Sequence, residues 1–355
     1  MGALPETIGK ILLRSTNWIG DAIMTTPAVR TIRQNFPAAD ITLLALPWVA
    51  DVFRASPHVN RIMPYERNGR HKGLKGKFIL AAELRRQQFD AAILLQNAFE
   101  AAFLTFLARI PVRAGYTTDA RSLLLTHGVK RTAGIKDVHQ VYYYLEMLRG
   151  LGLAPGTDEL ELAVPPEASR WARDYLRDAA AGPGKKIVGI NPGAAYGPAK
   201  RWPAEKYAGL AGELLRFPDI MVVVFGTEAD REAAHRIQRV PGGDRNVIDL
   251  TGRTTLAQAM GLIALCSVFV TNDSGLMHIA AALNTPTVAV FGSTNPVTTG
   301  PHASRAAIVR TELECSPCLE THCPRKHFQC MENISVEEVF QTVHACLAPG
   351  PGAAS

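Results

Sequence analysis

Short apolar runs alternate with amphipathic segments along this chain, and the alternation runs through twice. In the first half, "KILLRST" (10–16), "DITLLAL" (40–46) and "FDAAILLQN" (89–97) read as buried strands. Around them, "DAIMTTPAVRTIRQNF" (21–36), "PWVADVFRAS" (47–56), "ILAAELRRQQ" (79–88) and "FEAAFLTFLARI" (99–110) read as helices. Strands that are apolar on both faces, separated by helices, predict a parallel sheet covered on both sides. "DAAAGPGKK" (178–186) breaks the rhythm and is expected to be a linker. Beyond it, strands at 186–193, 220–226, 247–252, 267–273 and 286–292 alternate with helices at 204–216, 228–240, 255–266 and 275–284. The fold class is therefore α/β, with two doubly wound parallel-sheet domains spanning 1–178 and 186–334. A last helix at 335–348 opens on the N-cap Ser335. Two such domains facing each other would hold a ligand in a cleft at the carboxyl ends of their strands. The tail "PGPGAAS" is expected to be disordered.

The 355 residues, 47% hydrophobic and 20% charged, suit two soluble domains. No apolar run reaches the about 18 residues of a membrane span, and the N-terminus has no signal-peptide pattern, which predicts a cytoplasmic protein. The net charge of +6 is unevenly placed. Residues 1–180 hold 23 Lys and Arg against 17 Asp and Glu, and the remainder holds 15 of each. The excess peaks in "ERNGRHKGLKGK" (66–77). Such a segment is either a solvated loop or a surface for an anionic partner: a phosphorylated substrate, an acidic membrane or a nucleic acid.

Of six cysteines, Cys266 and Cys346 stand alone in apolar patterns and are expected to be buried thiols. Cys315, Cys318, Cys323 and Cys330 cluster in "CSPCLETHCPRKHFQC". Four thiols this close are a candidate structural zinc set, although the second pair is spaced by six residues rather than two.

Several chemistries are excluded by what is missing. No strand is followed by G-x-G-x-x-G, and there is no phosphate-binding P-loop, no G-x-S-x-G nucleophile elbow and no D-x-D pair for a metal-bound diphosphate. What remains is polar residues at strand ends. "VTNDSGLMHIAAAL" (270–283) ends a strand and opens a helix, where Asp273 or Ser274 would cap and Gly275 leaves room for a ligand. Free backbone N–H groups at such a helix start attract phosphate oxygens, and His278 lies on the same face as Ser274. "NPGAAYGPAKRWPAEKY" (191–207) brings Lys200 and Arg201 into a small-residue loop after a strand, a plausible second wall of a diphosphate pocket. Asp21 occupies the matching corner of the first half, where a carboxylate serves as a cap or as a base.

"NWIGDAIMTTPAVRTIRQNFP", "PGAAYGPAKRWP", "FGTEADREAAHRI" and "VTNDSGLMHIAAALNTPTVAVFGSTNP" together resemble the family 9 glycosyltransferases, over about residues 10–300 and the final helix. The resemblance implies a GT-B fold whose second domain holds a nucleotide-sugar donor and whose last helix packs back on the first domain. It implies inverting transfer of heptose from ADP-heptose to an inner-core lipopolysaccharide acceptor, with no metal or other cofactor required. Asp21 then looks like the general base and Lys200 like the contact to the departing phosphates. Gly193, Tyr196, Asp273, Ser274, Gly275, Leu276 and His278 are implied at the donor. Among Glu228, Asp230 and Glu232, Asp230 is the expected ribose ligand. Lys72, Asn97, Arg113 and Arg121 are implied at the acceptor. The implied partners are the donor, a lipid-linked oligosaccharide and the inner face of the inner membrane, with no nucleic acid. The four-cysteine segment is no part of the resemblance. A family member with a different acceptor, and a non-enzymatic two-domain sugar-binding protein, are the alternatives.

Overall fold

A computed structural model describes residues 3–179 and 184–347. The chain divides into two compact units, residues 1–163 and 164–355. Residues 180–183 of the expected linker and all of the tail lie outside the described residues.

The first unit is a six-stranded parallel sheet. Its strands are β1 (Lys10–Arg14), β2 (Asp40–Ala45), β3 (Arg61–Pro64), β4 (Ala91–Leu94), β5 (Val112–Tyr116) and β6 (His127–Val129). They lie in the order β3-β2-β1-β4-β5-β6. Every pairing is parallel, and Leu12 stands opposite Thr42 on one side and Ala92 on the other. Ile11, Leu12, Leu13, Ala91, Ala92 and Ile93 have no exposed surface, which is why these strands read as unbroken apolar runs. The edge strands β3 and β6, and β5 beside β6, are not legible as strands. They are short and partly exposed, and carry Arg61, Arg113 and His127.

The helix expected over 21–36 is two helices, Ile19–Met24 and Thr26–Asn35. Pro27 has no N–H to give the carbonyl of Ile23. The Thr26 hydroxyl takes that carbonyl instead, at 2.8 Å. The basic segment is less of a loop than expected, because a helix begins at Gly73 and runs to Gln87.

The second unit repeats the plan. Its strands are β7 (Lys186–Asn191), β8 (Ile220–Val224), β9 (Val247–Asp249), β10 (Val268–Asn272), β11 (Thr287–Phe291) and β12 (Ala306–Arg310), in the order β12-β11-β10-β7-β8-β9. Its core joins Val188, Val222, Val270 and Val288 of the sheet to Trp202, Tyr207 and Leu210.

One expectation about organisation, the domain boundary, needs correcting. The helix Pro166–Asp178, assigned by sequence to the first domain, packs against helix Leu256–Ile263 of the second unit. Gly261 permits this approach: a Cβ there would lie 2.7 Å from the Ala168 carbonyl oxygen. The last helix, Val336–Leu347, packs on the second unit's own sheet and helices. Val339 and Val343 are buried in the second unit's core, and the indole N–H of Trp202 donates to the Ile334 carbonyl at 3.1 Å. Phe340 stacks on Phe217 with centroids 6.2 Å apart.

Gly261→Val should therefore destabilise the full chain by about 1–3 kcal/mol, the usual cost of overpacking. Urea unfolding followed by far-UV circular dichroism measures it. A midpoint equal to the parent's would contradict the packing of helix 166–178 on this unit.

Candidate active site

In both units the strand order reverses between the first strand and the fourth, so crossovers leave these neighbours in opposite directions. The gap between such strands, at their carboxyl ends, is where open α/β sheets bind ligands. In the second unit the gap lies between β7 and β10, in the first between β1 and β4.

At the end of β7 the side-chain amide of Asn191 donates to Thr271 Oγ1 and to Ser274 Oγ, both at 2.9 Å. At the end of β10, Asn272 accepts from the backbone N–H of Trp202 and from the Tyr207 hydroxyl, both at 3.0 Å. Its amide donates to the Pro192 carbonyl at 2.8 Å. These two buried asparagines tie loop 192–202 to the loop after β10. Ser274 Oγ then accepts from the Met277 N–H at 3.3 Å, so Ser274, not Asp273, caps helix Gly275–Ala282. Asp273 is left to face Lys200, whose ammonium lies 2.6 Å from its Oδ2 and 4.7 Å from the Tyr196 ring centroid. Gly275 and Leu276 form the first turn, and His278 lies buried one turn further in. A capped helix N-terminus and a lysine thus meet at one spot, and both favour an anion.

The neighbouring acid is Asp230. It is buried, and its Oδ2 accepts from the Thr227 N–H at 2.9 Å and the Thr227 hydroxyl at 2.8 Å. Gly193 lies against it: a Cβ would fall 2.6 Å from the same oxygen. Arg201 approaches Asp230 Oδ1 at 3.7 Å. Glu228 and Glu232 are instead exposed and paired with Arg231 and Arg236. Asp230, Arg201, Trp202, Phe328 and Met331 line a cavity of about 370 Å³, within the range of small-molecule pockets.

In the first unit Asp21 sits in the opening turn of helix Ile19–Met24. Trp18 occupies the cap position, so the acid is a first-turn carboxylate and not the cap. Its negative charge reaches the buried Tyr144, whose phenol is raised well above its ordinary pKa by burial first and by Asp21 second. Asn97, after β4, donates to the Tyr143 hydroxyl at 2.8 Å and accepts from Arg121 at 2.9 Å.

The two arginines implied at the acceptor are committed elsewhere. Arg121 has no exposed surface; it donates to the carbonyls of Tyr116 and Gln96 and to Asn97, and burial pulls its pKa down to about 10. It holds the Asn97 side chain in place. Arg113 donates to the carbonyls of Leu124 at 2.6 Å and Ile110 at 2.5 Å and lies over the Phe106 ring. Lys72 is exposed at the start of helix Gly73–Gln87.

All six cysteines are free thiols. Cys266 is buried and pushed up to about 12 by that burial, while Cys346 is half-buried. Among the described residues no three or more ligating side chains are placed to hold a metal ion, the four clustered thiols included. Their segment serves the site mechanically. Thr321 accepts from the Ala199 N–H at 3.1 Å, and Leu319 accepts from the Tyr196 hydroxyl at 3.1 Å, so it backs the loop that carries Lys200. Neither this contact nor the two asparagine anchors had a readable signal, beyond an Asn at the end of an apolar strand.

Both sites at reversal points, one cationic beside a nucleoside-sized cavity and one carrying a carboxylate, define a transferase of the nucleotide-sugar type. Residues 78–329 match glycosyltransferase family 9 (heptosyltransferase), and the chain belongs to that family. It is 34% identical to lipooligosaccharide heptosyltransferase 2 of Haemophilus ducreyi over 311 residues, 85% of this chain and 88% of that one. The solved structure of ADP-heptose LPS heptosyltransferase II from Escherichia coli superposes with a TM-score of 0.80 at 30% identity, covering 95% of this chain and 98% of the other. Heptosyltransferase 1 of Pseudomonas aeruginosa is more distant, at 26% identity over 88% of this chain and 87% of its own length. The fold is thus the GT-B type of these enzymes.

Lys200→Met should lower the turnover of ADP-heptose by about 10²–10³-fold, the effect of removing one preorganised charge at a developing anion. Steady-state ADP release measures it. A loss below about threefold would remove Lys200 from the site.

Proposed function

We propose that the chain moves heptose from ADP-heptose onto the first heptose of a lipopolysaccharide inner core, with inversion at the anomeric carbon. The observation that carries this reading is the Lys200–Asp273 pair at 2.6 Å beside the Ser274-capped helix start. Departure of ADP leaves negative charge on its β-phosphate. A lysine held against one carboxylate exchanges one anion for another as the phosphate forms, so its charge is never stranded. The helix start adds backbone N–H groups aimed at the same oxygens. Asp230 takes a ribose hydroxyl in the adjoining cavity.

Asp21, in the first turn of its helix, accepts the proton of the attacking hydroxyl. The phosphate charge is met by these fixed groups, and no metal is required for the transfer. The 34% identity to a heptosyltransferase 2, against 26% to a heptosyltransferase 1, favours the second heptose over the first.

We also propose contact with an anionic membrane surface on the cytoplasmic side. No helix of the described residues is long and apolar enough to cross a membrane. Instead, helix Gly73–Gln87 exposes Leu74 and Phe78 one turn apart, beside Lys75, Arg85 and Arg86. Helix Phe99–Leu107, packed next to it, exposes Phe99 and Phe106. Apolar side chains rimmed by cations suit the headgroup region of a bilayer.

Asp21→Asn should abolish ADP release in the presence of heptosyl-Kdo-lipid A by about 10²–10⁴-fold, the contribution of a general base, with ADP affinity retained. Excess EDTA should leave the parent rate unchanged. Sustained turnover in the variant would overturn the role of Asp21. Separately, Phe78→Ser combined with Lys75→Glu should halve or further reduce cosedimentation with phosphatidylglycerol vesicles. Equal cosedimentation of parent and variant would remove this surface from membrane contact.

A further inference from the structure

The transfer scheme uses Asp21 but leaves unexplained a buried cation just ahead of it. Arg14 ends β1 and is only 2% exposed, and burial pulls its pKa down to about 10. Its Nη1 donates to the Ser15 carbonyl at 2.5 Å and its Nη2 to Asn17 Oδ1 at 2.9 Å. These bonds fold the turn 15–18 back over the strand end. Trp48 fixes the same turn from outside, its indole N–H donating to the Asn17 carbonyl at 3.1 Å. Helix Ile19–Met24 grows directly from that turn: the Ala22 N–H donates to the Trp18 carbonyl at 2.9 Å. No side chain caps this helix. The orientation of Asp21, three residues past Trp18, therefore depends on how firmly the turn is held.

The Arg14 Nε has no hydrogen-bond acceptor among the described residues. Arg14 is held by its face. The guanidinium lies 5.3 Å from the ring centroid of Tyr65, the first residue after β3. The Tyr65 hydroxyl donates to Glu100 Oε1, and Lys77 pairs with Glu100 Oε2 at 2.7 Å. Burial, reinforced by Glu100, raises the Tyr65 phenol above its ordinary range, so it stays a hydrogen-bond donor. Glu100 is shifted the other way: burial would raise it, but the bonds from Lys77 and Tyr65 outweigh that and keep it ionised. Residues from the ends of β1 and β3 and from two helices thus converge on one cation. Each sets the next: Lys77 sets Glu100, Glu100 sets the Tyr65 ring, and the ring sets Arg14.

We infer that Tyr65 and Glu100 are positioning residues for the transfer, acting through Arg14 on the turn that aims the Asp21 carboxylate. The inference rests on Asp21 being the base. It adds residues to which the proposed transfer gives no role. Catalytic geometry is steep in distance, and a displacement of about 1 Å costs on the order of 10²-fold in rate. Removing the Tyr65 hydroxyl or the Glu100 charge leaves the turn formed but loosely aimed.

The test uses the full chain and three variants: Tyr65→Phe, Glu100→Gln and the double variant. Each single change should lower kcat by about 10- to 100-fold. The KM for ADP-heptose should stay within about twofold of the parent, and calorimetric titration with ADP should still find the parent's number of sites. That stoichiometry excludes an inactive fraction, which a purely structural role would produce. Because the two residues act in series, the double variant should be no slower than the slower single variant within about threefold, instead of showing the product of the two losses. Parent-like kcat in Tyr65→Phe and Glu100→Gln, with Asp21→Asn inactive, overturns this inference and leaves Asp21 as the base. Multiplied losses in the double variant, or lost ADP sites in both single variants, also overturn it. Turnover retained in Asp21→Asn overturns the base assignment, whatever the other variants do.

Discussion

A parallel strand can be followed by a crossover on either face of its sheet, and where two neighbours choose opposite faces a gap opens above their ends. Each unit of this chain has one such pair, β1 with β4 and β7 with β10. Backbone N–H groups of the helices that follow point into that gap, where no strand continues to cover them. Most polar residues of the proposed site follow these four strands. Asp21 comes after β1, Asn97 and Glu100 after β4, Lys200 after β7, and Asp273 with Ser274 after β10. Along the rest of the strands burial is nearly complete, and a polar side chain would need a partner inside the sheet.

Charge in these gaps is handled by pairing within short reach. Lys200 and Asp273 are mostly withdrawn from solvent and hold each other at 2.6 Å. Taking two charges out of water is costly, and the close geometry offsets much of that cost. The first unit handles its buried cation differently. Arg14 leans on an aromatic face and reaches a carboxylate only through a phenol. A direct ion pair would hold the charge more simply. The indirect arrangement leaves both terminal nitrogens of the guanidinium free to bind the turn ahead of Asp21.

Much of this is legible in local pattern alone: the alternation of strands and helices, the two domains, Asp21 at a strand-to-helix corner, and the Lys200 and Asp273 loops. The central strands are readable because a parallel sheet buries both faces, and an unbroken apolar run is the direct signature of that. Strands β3, β5, β6 and β12 are not: β3, β6 and β12 each have one open side, and in β3 and β5 polar residues such as Arg61 and Arg113 interrupt the run. The domain boundary differs from the expected one for a related reason. The helices at 166–178 and 336–347 are amphipathic, and an apolar stripe says that something covers it without saying what.

The sequence by itself determined which residue types stand at which strand ends, since strand and helix periods are local properties of the chain. Only the tertiary structure decided what those residues do to one another. Arg121 and Arg113 carry the charge expected of ligand contacts, yet the fold commits them to backbone carbonyls. Lys200 and Asp273 are 73 positions apart and meet only because β7 and β10 are neighbours. Tyr65, after β3, and Glu100, after β4, meet over the end of β1 only because the sheet brings these strand ends to one side of the unit. Distances along the chain carry no such information; long-range strand pairing sets it, and that pairing minimises buried polar surface over the whole domain at once.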